Sequence, residues 1–298
     1  MHPFFTFFGF QIPAYSSMML LSAALSITGL YFLARARKMP AGDAVNMALM
    51  AVAGALAGGM LLHAATVLPD VIEHWDEIFT GLSFFDGAAL FFRLMGGIVF
   101  YGGLIGGALA MLLYCRAFRV PFLHYADLMA PIFPITHAIG RVGCLLGGCC
   151  YGVEVSAHHP LAIVYPPESL AAPHGVPLLA MPLIEGGCNL IISCILFLFY
   201  TRKPFPGRVT ALYGMLYATV RFTLEFFRGD LVRGVAYGVS TSQVISLLVG
   251  GASLTLFLAA PRIARKNPGV WEEHLARHEK ARELTAARKA KNNHTHTA

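Results

Sequence analysis

The chain has 298 residues, of which 56% are hydrophobic and 13% charged, with a formal net charge of +6. Soluble domains carry about 25% charged residues, so this composition excludes a secreted enzyme, a disordered chain and an ordinary cytosolic domain, and it points to the bilayer as solvent. Most of the 22 Lys and Arg residues stand at Arg35–Lys38, at Arg116 and Arg119, at Arg202–Arg208 and after Pro261. These clusters flank long apolar runs, so the basic excess marks membrane topology and no nucleic-acid partner is expected.

The first residues, with Phe4, Phe5, Phe7, Phe8 and Phe10 and no basic n-region, read as an interfacial aromatic segment rather than a cleaved signal peptide. Uncharged runs follow at Ala14–Ala34, Ala44–Pro69, Leu94–Cys115 and Gly234–Ala260. Each exceeds the roughly 20 residues that cross a hydrocarbon core. Three further runs are punctured by charge: Val120–Ile139 holds Asp127, Leu183–Tyr200 begins near Glu185, and Val209–Phe227 holds Arg221 and Glu225. The expected fold is an all-α integral membrane protein with seven transmembrane helices. Basic clusters follow the first, third, fifth and seventh runs, which places the N-terminus outside and the C-terminus in the cytoplasm. The acidic segment Asp70–Asp86 and an irregular loop over residues 151–182 then face outward. Residues 1–260 form the membrane domain and residues 261–298 a basic cytoplasmic tail. That tail reads either as a helix on the inner leaflet or as a solvated extension.

Five basic residues lie outside the clusters: Arg93, Arg141, Arg221, Arg228 and Arg233. A guanidinium at depth costs on the order of 2.5–3.5 kcal/mol on insertion scales, so it usually has a partner or a task. Arg221 and Glu225 are four residues apart, and Glu225 and Arg228 three, so one helix face carries all three; an ion pair that neutralises itself is the plainer reading. His137 precedes Arg141 by four residues, and that histidine is either a packing residue or a base. Gly140, Gly143, Gly147, Gly148 and Gly152 surround Arg141. They serve either close helix packing or a helix break whose bare N–H groups, beside a guanidinium, suit a phosphate. Cysteines at 144, 149 and 150 lack the spacing of a metal site, so no metal or other cofactor is expected, and a disulfide cannot be assigned. Residue chemistry alone therefore reaches a membrane protein that holds an anionic lipid headgroup.

The string GRVGCLLGGCCYG resembles the G-R-x-G-N-F-x-N-G-E signature of the bacterial prolipoprotein diacylglyceryl transferase family. In the same order, Phe100–Gly107 resembles H-G-G-L-I-G, Tyr125–Pro134 a segment with Asp and A-P, Met181–Glu185 the end of P-x-Q-L-Y-E, Val220–Asp230 R-x-x-x-E-F-F-R-x-x-D, and Ser240–Ser246 S-x-G-Q-x-L-S. The resemblance implies transfer of a diacylglyceryl group from phosphatidylglycerol to the lipobox cysteine of a prolipoprotein signal peptide, in a bacterial inner membrane. It implies phospholipid binding at Arg141, Gly140, Gly143, Arg221 and Arg228, and catalysis by Arg141, Arg221 and Glu225. The family's His before Gly-Gly is Tyr101 here, its motif Asn and Glu are Cys144 and Cys149, and its G-G-R reads Gly58–Gly59–Met60. His137, on the face of Arg141, then stands in as base, with Tyr101 the second candidate. The competing reading is a non-enzymatic membrane protein that binds or moves anionic phospholipid.

Overall fold

Apolar side chains that a soluble protein would bury face outward along the long apolar helices: Leu20 is 73% exposed, Leu61 72% and Leu198 69%. This is the pattern of a lipid-facing surface. The computed structural model describes residues 4–7, 10–95, 97–229, 235–236 and 239–295. It forms two compact units. One contains residues up to Lys38 together with Leu123–Trp271; the other contains Met39–Phe122 and the residues from Glu272 onward.

The first unit opens with the antiparallel strands β1 (Phe4–Phe7) and β2 (Phe10–Pro13), then α1 (Ala14–Ala36). The second unit contributes α2 (Ala41–Glu73), α3 (Trp75–Phe79), α4 (Phe84–Met95) and α5 (Phe100–Phe118). Here α2 and α5 pack through glycine. A Cβ on Gly58 would collide with the carbonyl of Gly102, and one on Gly106 with the carbonyl of Gly54. Two small-x-x-x-small pairs thus let the backbones touch, as membrane helices do in place of hydrophobic burial. Gly102, Gly103, Gly106 and Gly107 of the Phe100–Gly107 segment, with the pair Gly58–Gly59, are packing features in this fold.

The first unit resumes with α6 (Phe122–Met129) and α7 (Phe133–Gly147). The sequence suggested one span over Val120–Ile139; instead these two helices meet at a 46° bend. Pro131 and Pro134 supply the cause, since proline removes a helix donor and crowds the preceding turn. Ser193 Oγ donates to the freed Pro131 carbonyl at 2.7 Å. Asp127, the acid inside that span, is an external helix cap. It accepts from Gly207 N at 2.7 Å, Thr210 N at 2.8 Å and Thr210 Oγ1 at 2.7 Å. These are orphan donors at the start of α9, satisfied by a carboxylate from another helix.

The loop over residues 151–182 is more regular than its composition suggests. Strands β3 (Ala162–Val164) and β4 (Pro177–Leu179) pair antiparallel around a core of Tyr165, Ala172 and Leu178. Burial pushes the Tyr165 phenol up to about 12, so it stays protonated at any physiological pH. The chain continues through α8 (Met181–Thr201), α9 (Arg208–Leu224), a 3-10 turn Glu225–Phe227, and the paired strands β5 (Val235–Ala236) and β6 (Val239–Ser240). It ends with α10 (Thr241–Lys266) and α11 (Val270–Thr295). Ser240 and Gln243 form a reciprocal capping box at the start of α10, which accounts for two residues of the Ser240–Ser246 motif.

Five helices, α1, α2, α5, α8 and α10, are long and apolar enough to cross a membrane, and the bent α6–α7 pair makes a sixth candidate. The seventh expected span is α9, which at 17 residues is shorter than the roughly 20 that a crossing takes.

Candidate active site

Helix α7 runs unbroken past Arg141 and stops only at Gly148, whose φ of +66° is the left-handed cap that glycine takes without strain. The helix break expected around Arg141 therefore lies two turns later. Gly140 and Gly143 sit inside the helix, where Gly143 lets α7 approach Tyr15 and Met18 of α1 and Gly140 lies against Met19. Ser22 Oγ donates to the Thr136 carbonyl at 2.8 Å along the same contact.

The side chain that organises the site is Glu185, in the second turn of α8 and 5% exposed. Arg141 Nε forms an ion pair with its Oε2. Arg221 NH1 reaches its Oε1 at 3.1 Å, and Arg228 NH1 reaches the same oxygen at 3.2 Å. Arg221 NH2 also pairs with Glu225 Oε2 at 2.8 Å and donates to Ser242 Oγ at 3.1 Å. Three arginines from three elements thus converge on one buried carboxylate. The expected Arg221–Glu225 pair forms. Arg228, however, does not share its helix face: α9 ends at Leu224, and Arg228 is extended and turns to Glu185.

Backbone contacts hold Arg228 in that position. Val153 N donates to the Phe227 carbonyl at 3.0 Å, and Gly229 N to the Tyr151 carbonyl at 3.1 Å. The approach requires glycine, because a Cβ on Gly229 would meet the Gly152 carbonyl and one on Gly152 would strike Met181 and Leu179. The glycine at the end of the GRVGCLLGGCCYG string therefore positions an arginine through the loop that follows α7.

Around this centre lie His137, one turn before Arg141 with its ring 5.5 Å from that of Tyr217, and the thiols of Cys144, Cys149 and Cys150, whose sulfurs fall within 4.8 Å of one another. Arg141 NH1 meets Cys144 Sγ at 4.0 Å. No disulfide joins the cysteines among the described residues. Hydrogen bonds from Cys144 and Cys149, then the Arg141 and Arg228 charges, hold the Cys150 thiol below its usual range. Tyr101 lies on α5 in the second unit, 39% exposed. Arg93 lies in the last turn of α4, and Arg233 falls outside the described residues.

Sequence reasoning placed Glu185 at the flank of its span and at the end of the Met181–Glu185 motif, and gave it no role in the site. Its signal was nonetheless present: Glu185 and Asn189 interrupt an apolar run at i and i+4, and an ionisable group inside a span is a site by default. Asn189 is also buried, with its Oδ1 unpaired among the described residues.

Fold and site define a multi-pass helical membrane protein with a buried arginine–carboxylate centre. The chain belongs to the prolipoprotein diacylglyceryl transferase family, whose sequence profile matches residues 3–259. It is 32% identical over 244 residues to the phosphatidylglycerol–prolipoprotein diacylglyceryl transferase of Clostridium tetani, covering 82% of this chain and 91% of the relative. A second such enzyme, from Clostridium perfringens, is 32% identical over 252 residues, covering 83% and 91%. The Bordetella parapertussis enzyme is 34% identical over 177 residues, covering 58% and 65%.

Proposed function

We propose that this chain transfers the diacylglyceryl group of phosphatidylglycerol to the thiol of a lipobox cysteine on prolipoproteins. The thiol loses its proton, a sulfur–carbon bond forms at the glyceryl carbon, and the carbon–oxygen bond to phosphate breaks, releasing glycerol phosphate. The observation that carries this reading is the convergence of Arg141, Arg221 and Arg228 on Glu185 in a chain of this family. A departing phosphate needs preorganised cations in a site of low dielectric. Arg141 suits the role best: its Nε is committed to Glu185, while NH1 meets only the Cys144 sulfur among the described residues. The planar fork then offers its terminal donors to phosphate oxygens. Gly140 and Gly143 contribute by letting α7 seat Arg141 against its neighbours.

The attacking thiol, with a pKa near 8.5 when free, needs a base. His137 is assigned that role, sharing Arg141's helix face, with Tyr101 as the alternative. Changing His137 to glutamine keeps a hydrogen-bonding group that cannot take a proton at physiological pH. Transfer, measured as glycerol phosphate released from phosphatidylglycerol in the presence of a lipobox peptide, is expected to fall about 10²–10⁴-fold, the usual contribution of a positioned base. Tyr101→Phe is expected to do less damage. The reverse ranking moves the base to Tyr101.

The membrane arrangement proposed is seven crossings in a bacterial inner membrane, made by α1, α2, α5, the α6–α7 pair, α8, α9 and α10. The N-terminus is outside and α11 is cytoplasmic. Arg35–Lys38, Arg116 and Arg119, Arg202–Arg208 and Arg262–Lys266 then all lie inside. Single cysteines introduced into Asp70–Asp86 should react with an impermeant reagent from outside, and those after Arg262 only from the cytoplasm. Labelling of Asp70–Asp86 from the cytoplasmic face would invert this topology.

A further inference from the structure

Helix α11 begins at Val270, past the residues that match the family profile, so the family's reaction does not explain it. It carries His274 and His278, four residues apart and therefore on one helix face. Within the second unit both imidazoles turn to the same carboxylate. His274 Nε2 lies 3.3 Å and His278 Nε2 2.8 Å from Oδ2 of Asp43, in the first turn of α2.

We propose that Asp43, His274 and His278 form a binding site for a divalent transition-metal ion, zinc by the chemistry of its ligands. Two imidazole nitrogens with one carboxylate oxygen are an established zinc donor set, in which a further position is left to water or another ligand. Bonds of about 2.0–2.2 Å in a tetrahedron place ligand atoms about 3.3–3.6 Å apart; His274 Nε2 already stands at that distance from Asp43 Oδ2, and His278 Nε2, hydrogen-bonded at 2.8 Å, would withdraw by about half an ångström on metal binding. The ligand atoms of all three residues lie within 4.8 Å of one another.

The surroundings support these ligands as a second shell should. Tyr114 OH donates to the other oxygen of Asp43, Oδ1, at 3.0 Å, and in turn accepts from Asn46 Nδ2 at 3.2 Å. That pair fixes the carboxylate and leaves Oδ2 to the histidines. The helix face is set by Arg277, which lies between the two histidines in sequence and donates to the Arg119 carbonyl at 2.8 Å and the Phe118 carbonyl at 3.4 Å. Burial grades across the cluster: the His274 side chain is 2% exposed and that of His278 37%. His278 is the open side, through which an ion enters. Bound there, the ion fastens α11 to the start of α2. The site is independent of the transferase reading and stands or falls separately from it.

The test uses the full-length protein in detergent, purified on a tag that contains no histidine, loaded with zinc chloride and dialysed. Metal content by mass spectrometry should be about one zinc per chain. His278→Gln, at the exposed ligand, should keep the fold by circular dichroism and weaken zinc binding at least about 100-fold. Combining it with His274→Gln should abolish retention. Zinc should slow proteolysis of α11 in the wild type and not in His278→Gln. Cobalt in place of zinc should give a ligand-field spectrum without a thiolate charge-transfer band. No zinc retained by the wild type, equal retention by the folded His278→Gln variant, or a thiolate band assigning the metal to Cys144, Cys149 and Cys150 would each overturn the proposal.

Discussion

Glu185→Gln is expected to destabilise the protein by about 3–5 kcal/mol, the usual penalty for removing one partner from a buried ion pair. The substitution preserves the shape of the side chain and removes the one charge that Arg141, Arg221 and Arg228 share. Three guanidiniums then remain together, with Glu225 as the other carboxylate among the described residues of the cluster. Thermal unfolding in detergent should show a markedly lower midpoint, and transfer should be lost with it. Glu185→Asp, which keeps the charge and shortens the reach, should recover most of the stability and only part of the activity. An unchanged midpoint in Glu185→Gln would mean that the carboxylate does not hold the cluster together.

The second large effect separates chemistry from folding. Arg141→Lys keeps a positive charge beside Glu185 and loses the fork, so the fold should persist while the phosphate loses its paired donors. Transfer is expected to drop about 10²–10³-fold, the usual result of deleting one preorganised donor to a developing oxyanion. Because the ammonium still neutralises Glu185, the unfolding midpoint should move far less than in Glu185→Gln. Full turnover by a well-folded Arg141→Lys would remove Arg141 from the phosphate-binding role and leave it as a structural partner of Glu185.

Much of the helical architecture was legible because the signals are long and local. Apolar runs gave α1, α2, α5, α8 and α10 directly, and the basic clusters gave a consistent order of loops. What the sequence hid were relations between elements. Asp127 and Glu185 look alike on paper, each an acid inside a span. Asp127 caps α9 because Gly207 and Thr210 present bare N–H groups to it, whereas Glu185 gathers arginines. Spacing alone put Arg228 on a helix face with Glu225. The loop after α7 pulls it off that face by pairing Gly152 with Arg228 as an isolated bridge. The glycines near Arg141 suggested an open anion cradle, yet α7 stays helical to Gly147 because nothing in Ile139–Gly147 breaks it and α1 packs against it. Glycine frequency signals close approach without saying to what.

The decisive measurement is the mass of a lipobox peptide incubated with the purified protein and phosphatidylglycerol. The predicted result is a gain of one diacylglyceryl group on the cysteine, matched mole for mole by glycerol phosphate, present with wild type and lost with Arg141→Lys. An unmodified peptide, in a preparation that is folded and binds phosphatidylglycerol, would contradict a transferase and leave a protein that only holds the lipid.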